Sequence, residues 1–518
     1  MSVHRQGTPP PLTDSSGVAE AEAMFALSPA EERFERLRRT AGLFAGPVVF
    51  AIMWALPTPA LSVEAHRLAA IASLVVVWWM TEPVPLPATA LVGAALMVVC
   101  GVASAAEAFA PFANPTIFLF IGAFIIGQAA TEHGLDRRLA FSLLSARAVQ
   151  GSLVRVALTV AALTAAISAW MSNTATTAMM LPVAMGALRA TGVLGQGRGR
   201  DAASIFLLSI AYAASIGGIM TPVGTPPNLI GIGLLERIAH VKINFVTWMI
   251  VAIPIAVVAS AVLFALTGRR VAAAVRASGH GTLSAIEPPK GQWTAGQRNC
   301  ALAFSLAIVA WVFPGAMGLV APAAPLTKWL AGHVHESVVA VLAASLLFVL
   351  PIDFAARRFT IDWKSAARID WGTILLFGGG LALGDQMFST GLAGVVGRAL
   401  VAASGAETLW GITAMAIVTA ILLTEITSNT AATNMLVPVI LSIAMAAGVN
   451  PVPPAIGVTL GASMAFVLPV STPPNAIVYG SGMVPILTMV KTGIILDVIC
   501  FFIILVGLRI LCPLVGLA

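Results

Sequence analysis

The chain has 518 residues, of which 58% are hydrophobic and only 10% are charged, and its mean hydropathy is +0.95. A soluble domain usually carries about a quarter of charged residues, so the composition excludes a large soluble protein and predicts an all-α polytopic membrane protein. The net charge of +6 does not indicate nucleic-acid binding, because Lys and Arg lie in loops between apolar runs, where they orient a chain in the membrane.

Signals of catalysis and of metal binding are missing from the sequence. The four cysteines stand in or beside apolar stretches without CxxC or Cys/His spacing, which implies neither a disulfide nor a metal (Cys100, Cys300, Cys500 and Cys512). None of the seven histidines pairs with another at metal spacing. The sequence contains no HExxH, GxSxG, phosphate-loop or paired-carboxylate motif, so we do not expect an enzyme.

The first 42 residues are polar and are expected to form a cytoplasmic leader that ends in a charged helix, Glu31 to Arg39. No short apolar stretch with a small-residue cleavage site follows the N-terminus, so no signal peptide is predicted. Four apolar segments come next, each close to the ~20 residues that cross a bilayer. They are residues 43–60, 66–81, 86–103 and 115–131. Asp136 to Arg147 is then an amphipathic stretch expected on the membrane surface.

Residues 156–188 contain no charged side chain. As one helix they would measure about 50 Å, which is too long for one crossing of a ~30 Å hydrocarbon core and short for two. The triplet Ser172-Asn173-Thr174 lies in the middle of this segment, with helix-forming sequence on both sides. The segment therefore predicts a re-entrant hairpin with the triplet at its tip.

A different interruption breaks the next apolar stretch, 202–240, at Thr221 to Pro227, where three prolines and a glycine follow closely. Such a segment cannot remain helical, and unwound backbone inside a membrane is tolerated only where it is buried or lines a cavity. The sequence then predicts a span at 245–267, a basic loop at 269–298, spans at 299–320 and 336–352, and a second basic loop. After these it predicts a span at 371–388, a surface helix at 391–404, a hairpin at about 408–447, a broken helix at 454–490 and a last span to about 516.

The second half of the chain repeats the first. The triplet recurs at 428–430, 256 residues after its first copy, and the TPPN motif at 225–228 recurs at 472–475, 247 residues later. Counted from a cytoplasmic N-terminus, the crossings place both basic loops in the cytoplasm and make the spans 115–131 and 371–388 run in opposite directions. The sequence thus predicts two inverted repeats, with about 11 transmembrane helices and two re-entrant hairpins.

Inverted repeats with paired interrupted helices point to the binding site of a secondary transporter. Ser, Asn and Thr are favoured N-caps, so each tip can start a helix whose free N–H groups and positive dipole end face an anion. Carbonyls released at the breaks, together with hydroxyls, can coordinate Na⁺. No Lys or Arg lies near either tip in the sequence, and a bound cation is therefore expected to supply the positive charge.

Three further positions are singled out by their place in apolar sequence. Glu425, three residues before the second tip, is an intramembrane carboxylate, and the sequence leaves open whether it functions in transport or only pins the hairpin. Asp385 near a span end and the pair Trp78 and Trp79 are expected to be structural or interfacial.

Together, the stretch Trp79-Met80-Thr81-Glu82-Pro83-Val84-Pro85-Leu86-Pro87, the two SNT motifs and the two TPPN motifs resemble the divalent anion:sodium symporter (DASS) family, of the di- and tricarboxylate transporter type. The resemblance covers essentially all of 43–516. It implies transport of dicarboxylates, citrate or sulfate by a homodimer, in which a transport domain moves like an elevator against a scaffold domain.

The resemblance also implies roles for individual residues. One Na⁺ site is implied at Ser168, Ser172, Asn173 and Gly224. A second Na⁺ site is implied at Thr424, Thr427, Asn429 and Ser471, with the carbonyls of Thr427 and Ser471 contributing. Substrate contacts are implied for Asn173, Thr174, Thr225, Asn429, Thr430 and Thr472. The implied domains are a leader (1–42), a scaffold in two parts (43–150 and 299–405), a transport domain in two parts (151–268 and 406–518) and a cytoplasmic linker (269–298).

The main hypothesis is a multi-pass protein of the inner cell membrane, with its N-terminus in the cytoplasm, that imports dicarboxylates together with Na⁺. A sodium-independent exchanger of dicarboxylates or citrate with the same fold, and a sulfate symporter, remain open as alternatives. A passive anion channel is disfavoured because a channel needs a continuous pore, and a membrane-embedded enzyme because no catalytic pair is present.

Overall fold

A computed structural model describes residues 29–146, 149, 151–190, 198–278, 291–405 and 407–518, so most of the predicted leader lies outside the described residues. The first half of the described chain contains α1 (Pro29–Ala55), α2 (Val63–Thr81), α3 (Leu86–Val99), α4 (Ala105–Phe109), α5 (Pro115–Glu132), α6 (Leu135–Leu144), α7 (Leu153–Ser168), α8 (Asn173–Ala190), α9 (Arg198–Gly218), α10 (Pro226–Ala239) and α11 (Phe245–Ser278). A 3₁₀ turn at Ala110–Ala113 joins α4 to α5.

The second half contains α12 (Ala295–Val320), α13 (Pro325–His333), α14 (Glu336–Val349), β1 (Pro351–Asp353), β2 (Arg358–Phe359), α15 (Trp363–Ala366), α16 (Trp371–Ser389), α17 (Leu392–Ser404), α18 (Leu409–Thr424), α19 (Asn429–Ala446), α20 (Val452–Gly461), α21 (Pro473–Gly480) and α22 (Ile486–Leu514). β1 and β2 pair antiparallel in what the sequence assigned to the second basic loop. The described chain is thus almost entirely helical, as predicted.

Both predicted hairpins are present. α7 packs on α8 and α18 packs on α19, and the turns between them, 169–172 and 425–428, contain or adjoin the triplets. α7 and α18 have 16 residues each, so each arm is about 24 Å long and shorter than a ~30 Å hydrocarbon core. A short arm that turns back at its end is the geometry of a re-entrant hairpin.

Both predicted helix breaks are also present. α9 ends at Gly218 and α10 begins at Pro226, while α20 ends at Gly461 and α21 begins at Pro473. Among the seven membrane-length apolar helices of the described residues, α9 is the most deeply buried, with 94% of its 18-residue apolar stretch inside the protein. Its Tyr212 hydroxyl donates to the carbonyl of Phe466 at 2.8 Å. The centre of the first repeat is therefore fastened to the unwound segment of the second.

The described residues include seven helices that are long and apolar enough to cross a membrane, or eight when the bent pair α13 and α14 is taken as one span. The sequence predicted about 11 crossings because it also counted shortened and broken segments. Those segments are apolar helices of 10–17 residues, among them α3, α7, α18 and α20. Their shortness follows from the hairpin turns and proline breaks that interrupt them.

Two boundaries differ from the sequence-based expectation. The charged helix and the first apolar segment form one continuous helix of 27 residues, α1, because Pro47 does not stop it. α11 runs for 34 residues to Ser278, so the first ten residues of the predicted basic loop 269–298 are helical. Arg and Ala are good helix formers, and they continue the helix beyond its apolar part.

Within the described residues, the packed interior forms one large apolar core and one smaller core. The smaller core joins α2 and α3 to α16 and α17, and it also includes Ala431 and Met435 of α19. The second hairpin therefore shares a core with α2 and α3, the two helices on either side of Glu82.

Candidate functional site

Both hairpin tips and both unwound segments line one cavity of about 550 Å³. Its wall contains all six residues for which substrate contacts were expected: Asn173, Thr174, Thr225, Asn429, Thr430 and Thr472. Residues up to 299 positions apart in sequence are brought together because the two repeats face each other across this space. The arrangement agrees with a site shared by two repeats.

Four helix N-termini meet at the cavity. α8, α10, α19 and α21 begin at residues 173, 226, 429 and 473, and each of these first residues lines the wall. A helix N-terminus carries roughly half a positive charge, so the site favours an anion before any side-chain charge is counted. Ser428 occupies the N-cap position of α19, but its side chain makes no capping hydrogen bond. The helix nevertheless begins directly after Ser428, as the sequence predicts for this tip.

The same hydrogen bond closes each tip. Ser168 Oγ lies 2.6 Å from Asn173 Oδ1, and Thr424 Oγ1 lies 2.7 Å from Asn429 Oδ1. Ser168 and Thr424 are fully buried behind the cavity wall. The bond fixes each triplet amide with its Oδ1 towards the hydroxyl, and an oxygen held in this way is a suitable cation ligand.

Backbone oxygens crowd around Gly224 in the first unwound segment. A Cβ atom built on Gly224 would lie 2.5 Å from the carbonyl oxygen of Gly218, 2.8 Å from that of Ala169 and 2.9 Å from that of Ser168. The hydroxyl of Thr221 also donates to the Ala169 carbonyl. Three carbonyl oxygens converging on one small space are the ligands that a hard cation takes where helices unwind.

A second cluster of oxygens surrounds Thr424. Its Oγ1 lies 2.7 Å from Asn429 Oδ1 and 2.7 Å from the carbonyl oxygen of Ala462, at the end of α20. A hydroxyl has one proton and can donate to only one of these acceptors. The acceptor that receives no proton then faces the Thr424 hydroxyl oxygen directly, and a cation stabilises such a contact between two oxygens.

Glu425 and Ser471 extend this second cluster. Glu425 Oε1 accepts from the N–H groups of Phe466 (2.7 Å) and Val467 (3.0 Å), and Oε2 accepts from the Leu468 N–H (3.1 Å). Ser471 Oγ lies 2.6 Å from Glu425 Oε2, 3.2 Å from the Glu425 carbonyl oxygen and 3.0 Å from that of Leu468. Glu425 thus pins the unwound segment to the hairpin.

The asparagines of the two TPPN motifs hold the unwound segments in equivalent ways. Asn228 Nδ2 donates to the carbonyls of Gly218 (2.9 Å) and Thr221 (2.7 Å). Asn475 Nδ2 donates to those of Ala465 (2.9 Å) and Leu468 (3.0 Å), which are the positions 247 residues later. The repeat therefore extends to individual hydrogen bonds.

The residues for which cation contacts were expected fall into two groups. Five line the cavity: Ser172, Asn173, Gly224, Asn429 and Ser471. Ser168, Thr424 and Thr427 are buried behind the tips, and the Thr427 hydroxyl donates to the carbonyl of Trp79 at 3.1 Å. A bound Na⁺ would therefore sit between the tip and the protein interior in each repeat, where these oxygens are found.

Sequence reasoning missed the opposite wall of the cavity, which includes Glu82, Gln128, Thr131, Arg368, Asp370 and Thr373. The expectation that no Lys or Arg lies near the tips is wrong in space, because Arg368 of the second basic loop lines the same cavity. Glu82 has a left-handed backbone conformation (φ 48°). Burial raises the pKa of its carboxyl, and the nearby charges of Arg38 and Arg39 oppose that rise. Glu82 belongs to the stretch Trp79 to Pro87, which contributes to the family resemblance but did not indicate a place in the cavity. Arg368 gave no sequence signal.

The two remaining predictions concern structural residues. Asp385 accepts from Arg237 Nε through both carboxylate oxygens, at 2.9 and 3.1 Å, and so ties α16 to α10. Trp79 is fully buried and its indole N–H donates to the Leu86 carbonyl at 3.3 Å. The four cysteines are free thiols, and no group of His, Cys, Asp and Glu suited to a metal occurs in the part of the chain that the structure describes.

Comparison with protein families gives one match over nearly the whole chain. The profile described as "Sodium:sulfate symporter transmembrane region" matches residues 37–516. Among curated relatives, an uncharacterized transporter of Haemophilus influenzae is 33% identical over 438 residues, covering 84% of this chain and 89% of the relative. The sodium-dependent dicarboxylate transporter SdcS of Staphylococcus saprophyticus is 29% identical and covers 95% and 94%, and SdcS of Staphylococcus aureus (strain RF122) is 30% identical and covers 92% and 91%.

Solved structures resemble the fold at much lower identity. The YdaH transporter of Alcanivorax borkumensis superposes with a TM-score of 0.55 at 15% identity, covering 88% of this chain and 98% of that one. MtrF of Neisseria gonorrhoeae superposes with a TM-score of 0.53 at 14% identity, covering 88% and 95%. With the helical architecture above, these likenesses confirm the predicted class of an all-α polytopic membrane protein built from two inverted repeats.

Proposed function

The chain belongs to the sodium:sulfate symporter family, and from this membership we propose that it couples the movement of dicarboxylates to Na⁺. It is a membrane transporter and not an enzyme. The proposed substrates are of the succinate, malate and fumarate class. The observation that carries the proposal occurs twice in the chain: a crowded cluster of oxygens lies behind a helix N-terminus that faces one shared cavity. The oxygens suit a cation, and the N-termini suit an anion.

The proposed sites follow the repeat. The first Na⁺ is held by Ser168, Ser172, Asn173 and Gly224. The second Na⁺ is held by Thr424, Thr427, Asn429 and Ser471. The substrate carboxylates are held by Asn173, Thr174, Thr225, Asn429, Thr430 and Thr472. Each triplet asparagine serves both a cation and the substrate, so binding of one raises the affinity for the other. The names of the SdcS relatives support dicarboxylates as the class.

Alternating access is proposed to occur by an elevator movement. In it, a transport domain (151–268 and 406–518) moves against a scaffold domain (43–150 and 299–405) within a homodimer. The cavity lies between residues of both proposed domains, with the tips on one side and Arg368 on the other. The protein is proposed to lie in the inner membrane with its N-terminus and the 269–298 linker in the cytoplasm.

The first experiment is uptake of labelled succinate into proteoliposomes, with and without an inward Na⁺ gradient and, separately, with succinate inside. Uptake that needs external Na⁺ and no internal substrate is the expected result. Uptake that ignores Na⁺ and needs internal anion would overturn symport.

Substitution of the triplet asparagines tests the site itself. Asn173→Ala and Asn429→Ala are each expected to abolish Na⁺-dependent uptake, because each removes an oxygen shared by cation and substrate. Asn299→Ala is a matched control, since that side chain hydrogen-bonds to Pro351 and Thr360 and does not line the cavity. Uptake at the wild-type rate in both triplet variants would contradict the assignment.

One observation favours the alternative of a sodium-independent exchanger. Arg368 supplies a fixed positive charge in the cavity wall, and a fixed charge can hold an anion without a bound cation. Sulfate is the other candidate substrate because the family description includes it. Competition of unlabelled citrate and sulfate with labelled succinate distinguishes these cases.

A further inference from the structure

The guanidinium group of Arg38 connects the N-terminal helix to the second hairpin tip. Arg38 lies in α1, and its Nη1 donates to the carbonyl of Ile426 at 3.1 Å and lies 3.5 Å from the carbonyl oxygen of Met80. Nη2 donates to Glu35 Oε2 at 2.9 Å and lies 3.9 Å from Glu82 Oε2. The side chain is only 15% exposed. The contact spans 388 residues of sequence.

The acceptor belongs to the turn that precedes the second triplet. Ile426 lies just beyond the C-terminus of α18, between Glu425 and Thr427. The last carbonyls of a helix lack intrahelical donors, and a positive side chain there also interacts favourably with the helix dipole. Arg38 supplies both the donor and the charge.

Two neighbouring contacts show that this turn is held from one side. The Thr427 hydroxyl donates to the Trp79 carbonyl at 3.1 Å, and Arg38 also approaches the Met80 carbonyl. Both carbonyls belong to the last turn of α2, next to Glu82 of the cavity wall. The N-terminal helix, the end of α2 and the second tip therefore meet at Arg38.

The first tip is held differently. Trp170 occupies the position equivalent to Ile426, 256 residues earlier. Its ring stacks on Phe245 with centroids 6.1 Å apart and meets Phe304 edge-on at 5.8 Å. Aromatic packing thus occupies the place that the arginine contact takes at the second tip.

We propose that Arg38 is a positioning residue for the second hairpin tip. By holding the Ile426 carbonyl, it sets the place of Thr427 and Asn429 and so the geometry of the second cation site. The cation part of this inference rests on the proposed function, whereas the effect on the tip backbone does not. Glu35 and Glu82 keep the guanidinium oriented.

The first test measures the tip directly. In full-length protein, hydrogen exchange of the backbone amides is compared between wild type, Arg38→Gln and Arg39→Gln. Arg39 is the matched control because it lies on the same helix, is 57% exposed and approaches Glu35 at 3.7 Å. Arg38→Gln is expected to speed exchange about tenfold at 426–429 and to leave 170–173 unchanged. Two results would overturn the proposal whether or not transport needs Na⁺. One is that Arg38→Gln changes the exchange rates at both tips by the same factor, and the other is that Arg39→Gln changes those at 426–429 as much as Arg38→Gln does.

The second test measures the consequence for the cation. Uptake into proteoliposomes is followed as a function of Na⁺ at saturating succinate, and of succinate at saturating Na⁺. Loss of a hydrogen bond from a charged group corresponds to about a tenfold weaker interaction. Arg38→Gln is therefore expected to raise the Na⁺ concentration at half-maximal rate about tenfold, and Arg38→Lys to restore part of the change.

Each remaining outcome of these tests has a definite meaning. If Arg38→Gln does not fold, Arg38→Lys replaces it in both measurements, with the same expected direction and a smaller change. A changed maximal rate with an unchanged Na⁺ dependence would contradict the positioning role. Sodium-independent uptake by the wild type would refute the proposed function, and the exchange measurement would then decide the role of Arg38 alone.

Discussion

The two hairpin tips share their oxygen ligands and differ in what holds them in place. Ser168 and Thr424 each meet a triplet asparagine at nearly the same distance. The next residue, however, is Ala169 in the first tip and Glu425 in the second. Glu425 alone makes four hydrogen bonds to the unwound segment, whereas Ala169 offers only its backbone carbonyl, to Thr221.

This difference distinguishes the oxygens proposed to bind ions and substrate from the contacts that hold each hairpin tip in place. Duplication preserved the groups that are proposed to contact ions and substrate, since the ligand chemistry sets their geometry. The supporting contacts diverged because packing, charge and hydrogen bonding can each hold a turn. Substitutions at equivalent positions of the two tips are therefore informative in pairs.

The largest effect is expected for Gly224→Ala in the first repeat. The added methyl group would lie within 3 Å of three carbonyl oxygens, and backbone oxygens cannot move aside cheaply. Na⁺-dependent uptake should fall to background. Gly186→Ala in α8 is the control, because a Cβ there meets no atom within 4 Å. If Gly224→Ala retained Na⁺-dependent uptake near the wild-type rate, the assignment of the first cation site to this position would be wrong.

A large loss of stability is expected for Glu425→Ala, which gives the second tip the residue of the first. Three backbone N–H groups lose their acceptor, while the Ser471 hydroxyl keeps only backbone carbonyls as acceptors. Each unsatisfied N–H group costs about 1–3 kcal/mol. The free energy of unfolding should fall by more than about 3 kcal/mol, seen as a lower melting temperature in detergent. Glu425→Gln should lie between the two proteins. An unchanged melting temperature would show that Glu425 does not pin the segment.

An intermediate and equal effect is expected for Asn228→Ala and Asn475→Ala. Each variant removes two buried hydrogen bonds of nearly the same length from equivalent positions. Each should lower the free energy of unfolding by about 2 kcal/mol. Thermal unfolding measures both changes. If the two losses of unfolding free energy differ by well above about 1 kcal/mol, the equivalent hydrogen bonds contribute unequally to stability in the two repeats.

The smallest effect is expected for Thr427→Val. The change removes the hydrogen bond to the Trp79 carbonyl and keeps the backbone carbonyl that is proposed to bind the second cation. Stability should fall by about 1 kcal/mol, and the Na⁺ dependence of uptake should stay that of the wild type. A tenfold weaker Na⁺ dependence would indicate that the hydroxyl itself is a ligand.

Much of this architecture could be read from local patterns. The hairpin predicted at about 408–447 occupies Leu409 to Ala446, because uncharged length and a polar triplet together leave few alternatives. The unwound segments follow from prolines, which remove backbone donors. The six proposed substrate contacts came from the family resemblance and not from these patterns, and the structure places all six in one cavity.

What the sequence could not predict depends on contacts between distant segments. Arg368 joins the cavity through a loop whose charge indicated only orientation, and Arg38 reaches a carbonyl 388 residues away. The extension of α11 to Ser278 was missed for another reason. Its last ten residues include three arginines, so hydropathy falls where the helix leaves the apolar region although the helix itself continues.

The short arms of the hairpins have an electrical consequence. A tip at the end of a 16-residue arm lies about 24 Å from the other end of that arm, deep within a ~30 Å hydrocarbon core. An ion that reaches the tip has therefore passed through part of the membrane field, which amounts to about 2.3 kcal/mol per elementary charge and 100 mV for a full crossing. Occupancy of the proposed cation sites is therefore expected to depend on membrane voltage as well as on concentration.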